Sequence, residues 1–141
     1  MRLRFRPGIP GSLVKASGGK VSLHVRVQCA NWYDIDRVQV FLNGRPDPKL
    51  NFTRAANPDA FSAQTLKFDR EIPLELTGDV HLIVAVIGEH SGLGYVMGPE
   101  HADDRPTAVS NPIFVDVDGG GFQANVDTLG VPLPVKDPKS K

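Results

Sequence analysis

The sequence predicts an all-β protein, an immunoglobulin-like antiparallel β-sandwich of about seven strands with no disulfide. Three observations carry that prediction. Apolar residues recur with a period of two along most of the chain, and no helical period persists beyond two turns. Glycine (14) and proline (12) are abundant, as many turns between short strands require. The single cysteine, Cys29, can form neither an internal disulfide nor a thiolate zinc site. At 141 residues, one domain can bury a sizeable core without a covalent staple.

The elements follow in order. Leu3 and Phe5 begin a strand-like alternation directly after Met1. Val21, Leu23, Val25, Val27 and Cys29 alternate with Ser22, His24, Arg26 and Gln28, which gives one dry face and one wet face. Val38, Val40 and Leu42 alternate with Arg37, Gln39 and Phe41, and Asn43-Gly44 follows at once. Both turn residues accept positive φ, the strongest short hairpin signal. Residues 57–62 suit a single helical turn. Leu66, Phe68, Ile72, Leu74 and Leu76 share a face with Arg70, against Lys67, Asp69, Glu71 and Glu75. Pro73 places that strand at an edge, because proline cannot donate to a ladder. Thr77-Gly78-Asp79 makes the next turn. Residues 80–87 are apolar on both faces, as a central strand requires. Ala108-Val109 and Ile113-Phe-Val-Asp-Val117 close the series. The expected division is a sandwich over residues 1–122 and an extended or mobile tail over residues 123–141, where prolines and lysines gather.

Charge and hydropathy exclude several function classes. Sixteen basic residues balance sixteen acidic ones, so there is no electrostatic footprint for nucleic acid or an anionic membrane. No apolar run approaches the roughly 20 residues of a membrane span. The N-terminus is basic without the apolar core of a signal peptide, which fits a cytoplasmic protein or a piece of a longer chain.

The chemistry-bearing residues are sparse. Cys29 is expected to be a small buried hydrophobe, because no basic partner is visible for a reactive thiol. Trp32 and Tyr33 either plug the end of the sandwich or stack on a ligand. His24, His81, His90 and His101 show no metal-ligand spacing. The long irregular stretch 88–105 holds Glu89, His90, Glu100, His101, Asp103 and Asp104, and reads as a solvated loop or as a source of metal ligands. There is no nucleophile elbow and no phosphate loop, so no catalytic residue is assigned.

The acidic stretch after the last strand can be counted against a calcium loop. From Asp116 at position 1, Asp118 falls at 3, Gly121 at 6 and Asp127 at 12, but Gly120 at 5 and Ala124 at 9 offer no side-chain oxygen. Asp116, Asp118 and Asp127 are the candidate calcium ligands. The alternative is that the two first aspartates end the strand while the glycines turn the chain. No other cofactor is expected. Asn51-Phe-Thr53 fits a glycosylation sequon.

The pattern Trp32-x-x-Ile-Asp-Arg-Val-x-Val-x-x-Asn-Gly44, with Ala108-Val-Ser-Asn-Pro-Ile-Phe-Val-Asp-Val-Asp-Gly119 downstream, carries a family resemblance. It resembles the C-terminal module of bacterial PHP-superfamily metallohydrolases, the polymerase-and-histidinol-phosphatase-type proteins of the carbaryl-hydrolase and microcin-maturation branch. The resemblance extends over residues 3–122. It implies a β-sandwich that follows a metal-binding barrel in a larger hydrolase. The barrel's His- and Asp-rich motifs are not in this sequence, so no metal or catalytic residue carries over. Gly120 stands where that family often has aspartate, which weakens the calcium reading. The implied role is a non-catalytic accessory domain.

Such a domain needs a docking face. With Val80, Leu82, Val84 and Val86 assigned to the core, Ile83, Ala85 and Ile87 lie on the opposite face beside His81, joined by Phe41 and Phe114. That face is expected to pack on the upstream catalytic domain or on a second copy, unless the chain's own loops or tail cover it. The competing expectation is a carbohydrate- or ligand-binding module, with or without calcium, that uses Trp32, Tyr33 and Tyr95.

Overall fold

The computed structural model describes residues 2–4 and 11–131. Among them are nine strands: β1 (Arg2–Arg4), β2 (Leu13–Lys15), β3 (Lys20–Gln28), β4 (Arg37–Leu42), β5 (Arg45–Thr53), β6 (Leu66–Glu75), β7 (Val80–Ile87), β8 (Thr107–Val109) and β9 (Ile113–Asp116). Among the described residues, helical structure is confined to three 3-10 turns, Pro58–Ala60, Tyr95–Met97 and Pro99–His101. The first falls within the stretch expected to hold a helical turn. The fold is all-β. No helix among the described residues is long and apolar enough to cross a membrane.

The strands form two sheets. The smaller has the order β1-β3-β6, and the larger β2-β9-β7-β4-β5 with β8 also on β7. Alternation dictates which side chains lie between them. Leu23, Val25 and Val27 of β3 and Phe68, Ile72 and Leu74 of β6 point in from the smaller sheet. Val38 and Val40 of β4, Leu50 and Phe52 of β5, and Val80, Leu82, Val84 and Val86 of β7 meet them from the larger. Phe52 and Phe68 touch across the layers, with ring centroids 5.9 Å apart. Each such buried Val, Leu or Phe contributes about 1.5–3 kcal/mol.

β7 is central, with β4 on one side and β8 and β9 on the other. β8 and β9 lie along the same edge of β7, interrupted at Ser110–Pro112. Ser110 bridges the break: its N–H donates to the Val84 carbonyl at 2.9 Å, and its Oγ accepts from the Val84 N–H at 3.0 Å. The Asn43-Gly44 turn joins β4 to β5 with φ of 52° and 77°.

The structure departs from the expected strand list in three places. β5 contains Pro46 and Pro48 and was not anticipated; it lies at the edge of its sheet, where missing N–H groups are tolerated, and its register with β4 shifts between Gln39 and Phe41. β2 pairs with β9 in parallel, so the larger sheet is not purely antiparallel. With β2, β5 and the broken β8–β9 edge, nine strands stand where about seven were expected. Lys67, expected on the wet face of β6, is 1% exposed. Within the described part of the tail, residues 123–131 form no regular element but are tied down: the Gln123 N–H donates to Asp79 Oδ2 at 2.8 Å, and Asp127 pairs with Arg45. Phe5 and residues 132–141 lie outside the described residues.

Candidate functional site at the loop end

Three connections meet at one end of the sandwich, those between β3 and β4, β5 and β6, and β7 and β8. The pairing of Arg37 with both Ile87 and Thr53 brings their roots together. Between them lies a cleft of about 620 Å³ whose lining includes Asp34, Asp36, Arg37, Arg54, Glu89 and His90.

Its polar groups are bound largely to one another. Arg54 Nη2 donates to both oxygens of Asp34 at 2.8 Å and reaches the Ile35 and Ser62 carbonyls at 3.0 and 3.2 Å. Arg37 grips Glu89 with two parallel bonds of 2.8 and 3.0 Å. Asp36 accepts the N–H groups of Glu89 at 2.9 Å and His90 at 3.1 Å, and its Oδ2 lies 2.7 Å from His90 Nδ1. Burial pushes the Asp36 carboxyl upward, but these three hydrogen bonds outweigh it and hold the pKa below the ordinary 3.8. Ser91 Oγ accepts the Asp34 N–H at 2.9 Å. Beneath this network, Lys67 donates to the Ala63 carbonyl at 3.2 Å and stands 3.6 Å from Asp34 Oδ1.

Chemically, the cleft offers an Asp–His pair with a solvent-facing imidazole, 85% exposed. Asp36, Glu89 and His90 place possible ligand atoms within 4.8 Å of one another. A cation there would have to displace the Arg37–Glu89 and Asp36–His90 bonds. His101, in the same loop, pairs instead with Asp104 at 2.8 Å. Sequence reading found Glu89 and His90 but missed Asp36, Arg37, Arg54 and Lys67. Asp36 and Arg37 stood in the family pattern, but nothing in the sequence marked either as lining a cleft.

Trp32 and Tyr33 meet edge to face, with centroids 6.2 Å apart. Trp32 is 61% exposed while Tyr33 is half-buried, so only one of the pair plugs the end. Cys29 is buried, and its Sγ faces the Tyr33 carbonyl at 3.8 Å. Burial raises the thiol's pKa, with nearby Lys67 opposing, which is the setting of an inert cysteine.

At the opposite end the calcium candidates separate. Asp116 and Asp118 come together with Asp79, which the loop count had missed. Asp127 does not join them; it sits on Arg45, which draws its carboxyl below the usual range. The three clustered carboxylates are engaged by the backbone. Asp116 accepts from Gly119 and Gly121 N–H at 2.6 and 3.1 Å, Asp118 from Gly120 at 2.7 Å, and Asp79 from Val117 and Gln123 at 2.9 and 2.8 Å. These backbone hydrogen bonds hold the glycine loop in shape.

The outer face of the larger sheet gathers the five candidate interface residues. Phe41 stands opposite Ile83 on the β4–β7 ladder, Phe114 opposite His81, and Ala85 and Ile87 opposite Gln39 and Arg37. All five are half-buried. Phe122 rests edge-on against Phe114 at 4.8 Å, so the C-terminal segment shields one corner. Val109, opposite Ala85, extends the patch and is 63% exposed. By contrast, the outer face of the smaller sheet carries Arg26 and His24, both paired with Asp69.

No family profile, curated protein or solved structure matches the chain.

Proposed function

We propose that this chain is a non-catalytic interaction domain of immunoglobulin-like topology that docks through the outer face of its larger sheet. Its partner in this reading is the metal-binding barrel of a PHP-type metal-dependent hydrolase, encoded in the same polypeptide. The observation that carries the proposal is the asymmetry of the two outer faces. On the smaller sheet His24 and Arg26 both pair with Asp69; the larger presents Phe41, Ile83, Ala85, Ile87 and Val109, with the Arg37–Glu89 pair at its loop end. Covering that apolar surface contributes about 25 cal/mol per Å² removed from water. The strand order, with a short β2 parallel to the last strand, supports the immunoglobulin-like assignment. The mutual pairing of the cleft's charged groups supports a structural role for the loop end.

The test is co-purification of this domain with the barrel, supplied as a separate chain. Ile83→Glu and Ala85→Glu are expected to abolish the complex while leaving the fold intact. Phe114→Glu is a poorer probe, because Phe122 leans on that ring. An unchanged complex in both variants refutes docking by this face, and a dimer that the same variants disrupt makes a second copy the partner.

A second reading has its own observation. Trp32 is exposed in the loop that also supplies Asp34 and Asp36 to the cleft. An exposed indole in the loop that leads into the cleft suits stacking on a sugar ring. A glycan array that detects binding lost in Trp32→Ala supports this reading; a blank array removes it.

A further inference from the structure

The β7–β8 loop exposes three consecutive large apolar residues. Tyr95 is 82% exposed, Val96 71% and Met97 53%. Such a run is a liability on a soluble surface unless it is used.

The loop that presents them is internally braced. Its arms are joined by Leu93 N–H to Asp104 carbonyl and Gly94 N–H to Ala102 carbonyl bonds, both 2.9 Å, with Ala102 buried. At the tip, the Met97 N–H donates to the Gly94 carbonyl at 3.1 Å and the Gly98 N–H to the Tyr95 carbonyl at 3.0 Å. Gly94 and Gly98 flank the tripeptide at φ of 77° and 94°, which glycine adopts without strain. A pre-shaped tip loses little conformational entropy on binding.

Charge selects the partner. Just after the tip, Glu100 and Asp103 are exposed, Asp104 is paired with His101, and Arg105 is the one arginine beside them, which leaves the surroundings net acidic in formal charge. An anionic lipid surface would repel them. So would a second copy's groove between β5 and β6, whose apolar floor of Leu50, Phe52 and Ile72 is rimmed by Asp47, Glu71 and Glu75 against Lys49 and Arg70. We infer that Tyr95, Val96 and Met97 form a plug that enters an apolar cleft, rimmed by Lys or Arg, on a different protein. This contact is independent of the outer sheet face.

The experiment places a benzophenone side chain at Val96 of the full protein in the cells that make it. Irradiation is followed by digestion and identification of the cross-linked peptide. The inference expects one other protein, joined through an apolar segment flanked by Lys or Arg. Glu100→Lys with Asp103→Lys is expected to cut the yield about tenfold with unfolding unchanged. With the identified partner purified, Tyr95→Ser is expected to weaken binding about tenfold or more. Adducts to lipid, to a second copy or to many unrelated proteins overturn the inference, as do no adduct, a yield indifferent to charge reversal and an unchanged affinity for Tyr95→Ser.

Discussion

Replacing Lys67 by methionine asks how the loop end is held together. Lys67 is 1% exposed, with one hydrogen bond to the Ala63 carbonyl at 3.2 Å and Asp34 Oδ1 3.6 Å away. Removing an ammonium from water costs several kcal/mol. A charge-assisted hydrogen bond returns about 1.5–3 kcal/mol. The attraction of Asp34 adds to this, but that side chain is 40% exposed and shared with Arg54, so water screens it. The opposing contributions nearly cancel. Lys67→Met keeps the apolar stem and deletes the charge, and is expected to change stability by no more than about 1 kcal/mol. Lys67→Ala deletes about three methylene-sized groups, at ~0.8 kcal/mol each, and leaves a cavity, for a total loss of about 2–4 kcal/mol. Asp34→Asn strands the buried ammonium and weakens the Arg54 clamp, at about 2 kcal/mol. Roughly half of that loss should vanish when Lys67 is already methionine. Urea unfolding followed by circular dichroism, at constant m, reads all four variants. If Lys67→Met proves as costly as Lys67→Ala, the charge secures this site and the reasoning is wrong.

Three further outcomes are expected. A methyl group on Gly19 would sit 1.9 Å from the Leu76 carbonyl oxygen, whereas one on Gly18 meets nothing within 4 Å, although both residues have positive φ. Gly18→Ala should cost about 1–2 kcal/mol, and Gly19→Ala more than about 4 kcal/mol; similar melting temperatures for the two would contradict this. Because the Asp36 pKa is depressed in the fold, its stabilising contribution is complete above 3.8 and disappears as pH falls through the lower folded value. Asp36→Asn at neutral pH, or wild type in that acid window, should therefore lose hydrogen-exchange protection at the Glu89 and His90 amides, while protection that stays level in both would disprove the clip. Asp116→Ala frees the Gly119 and Gly121 N–H groups and should cost about 2 kcal/mol, whereas millimolar calcium should move the wild-type melting point by less than about one degree. A melting point that climbs steadily with calcium would restore a metal site there.

Alternation alone revealed β3, β4, β6 and β7, because a sheet with one dry face writes its period directly into the sequence. The Asn43-Gly44 turn was equally visible. β5 was hidden by Pro46 and Pro48, which lower strand propensity but do no harm at an edge. The parallel pairing of β2 with β9 was hidden for a different reason: a period of two specifies a face and says nothing about which neighbour lies alongside. Lys67 obeys the wet-face period, yet residues 61–63 fold back against it, with the Ser62 N–H on the Lys67 carbonyl. That is a tertiary effect. In the acidic loop, nearness in sequence brought Asp116 to Asp118, but spacing could not foresee that Asp79 would take the place given to Asp127. The loop-end ion pairs were likewise invisible, since Arg37 and Glu89 meet only after β4 and β7 have aligned.

The parallel pairing of β2 with β9 also governs how the domain carries tension. Bonds from Gly11 N–H to the Pro112 carbonyl, Phe114 N–H to the Ser12 carbonyl and Ala16 N–H to the Asp116 carbonyl span the two strands at 2.7–3.0 Å. Pulling on the N-terminal end of β2 and the C-terminal end of β9 slides one strand along the other. The cross-strand bonds are then loaded together in shear, rather than opened one by one as in a peeled hairpin. Tension entering through the N-terminal side meets the pairing of β1 with β3 first, and this short seam takes the load once that pairing has parted.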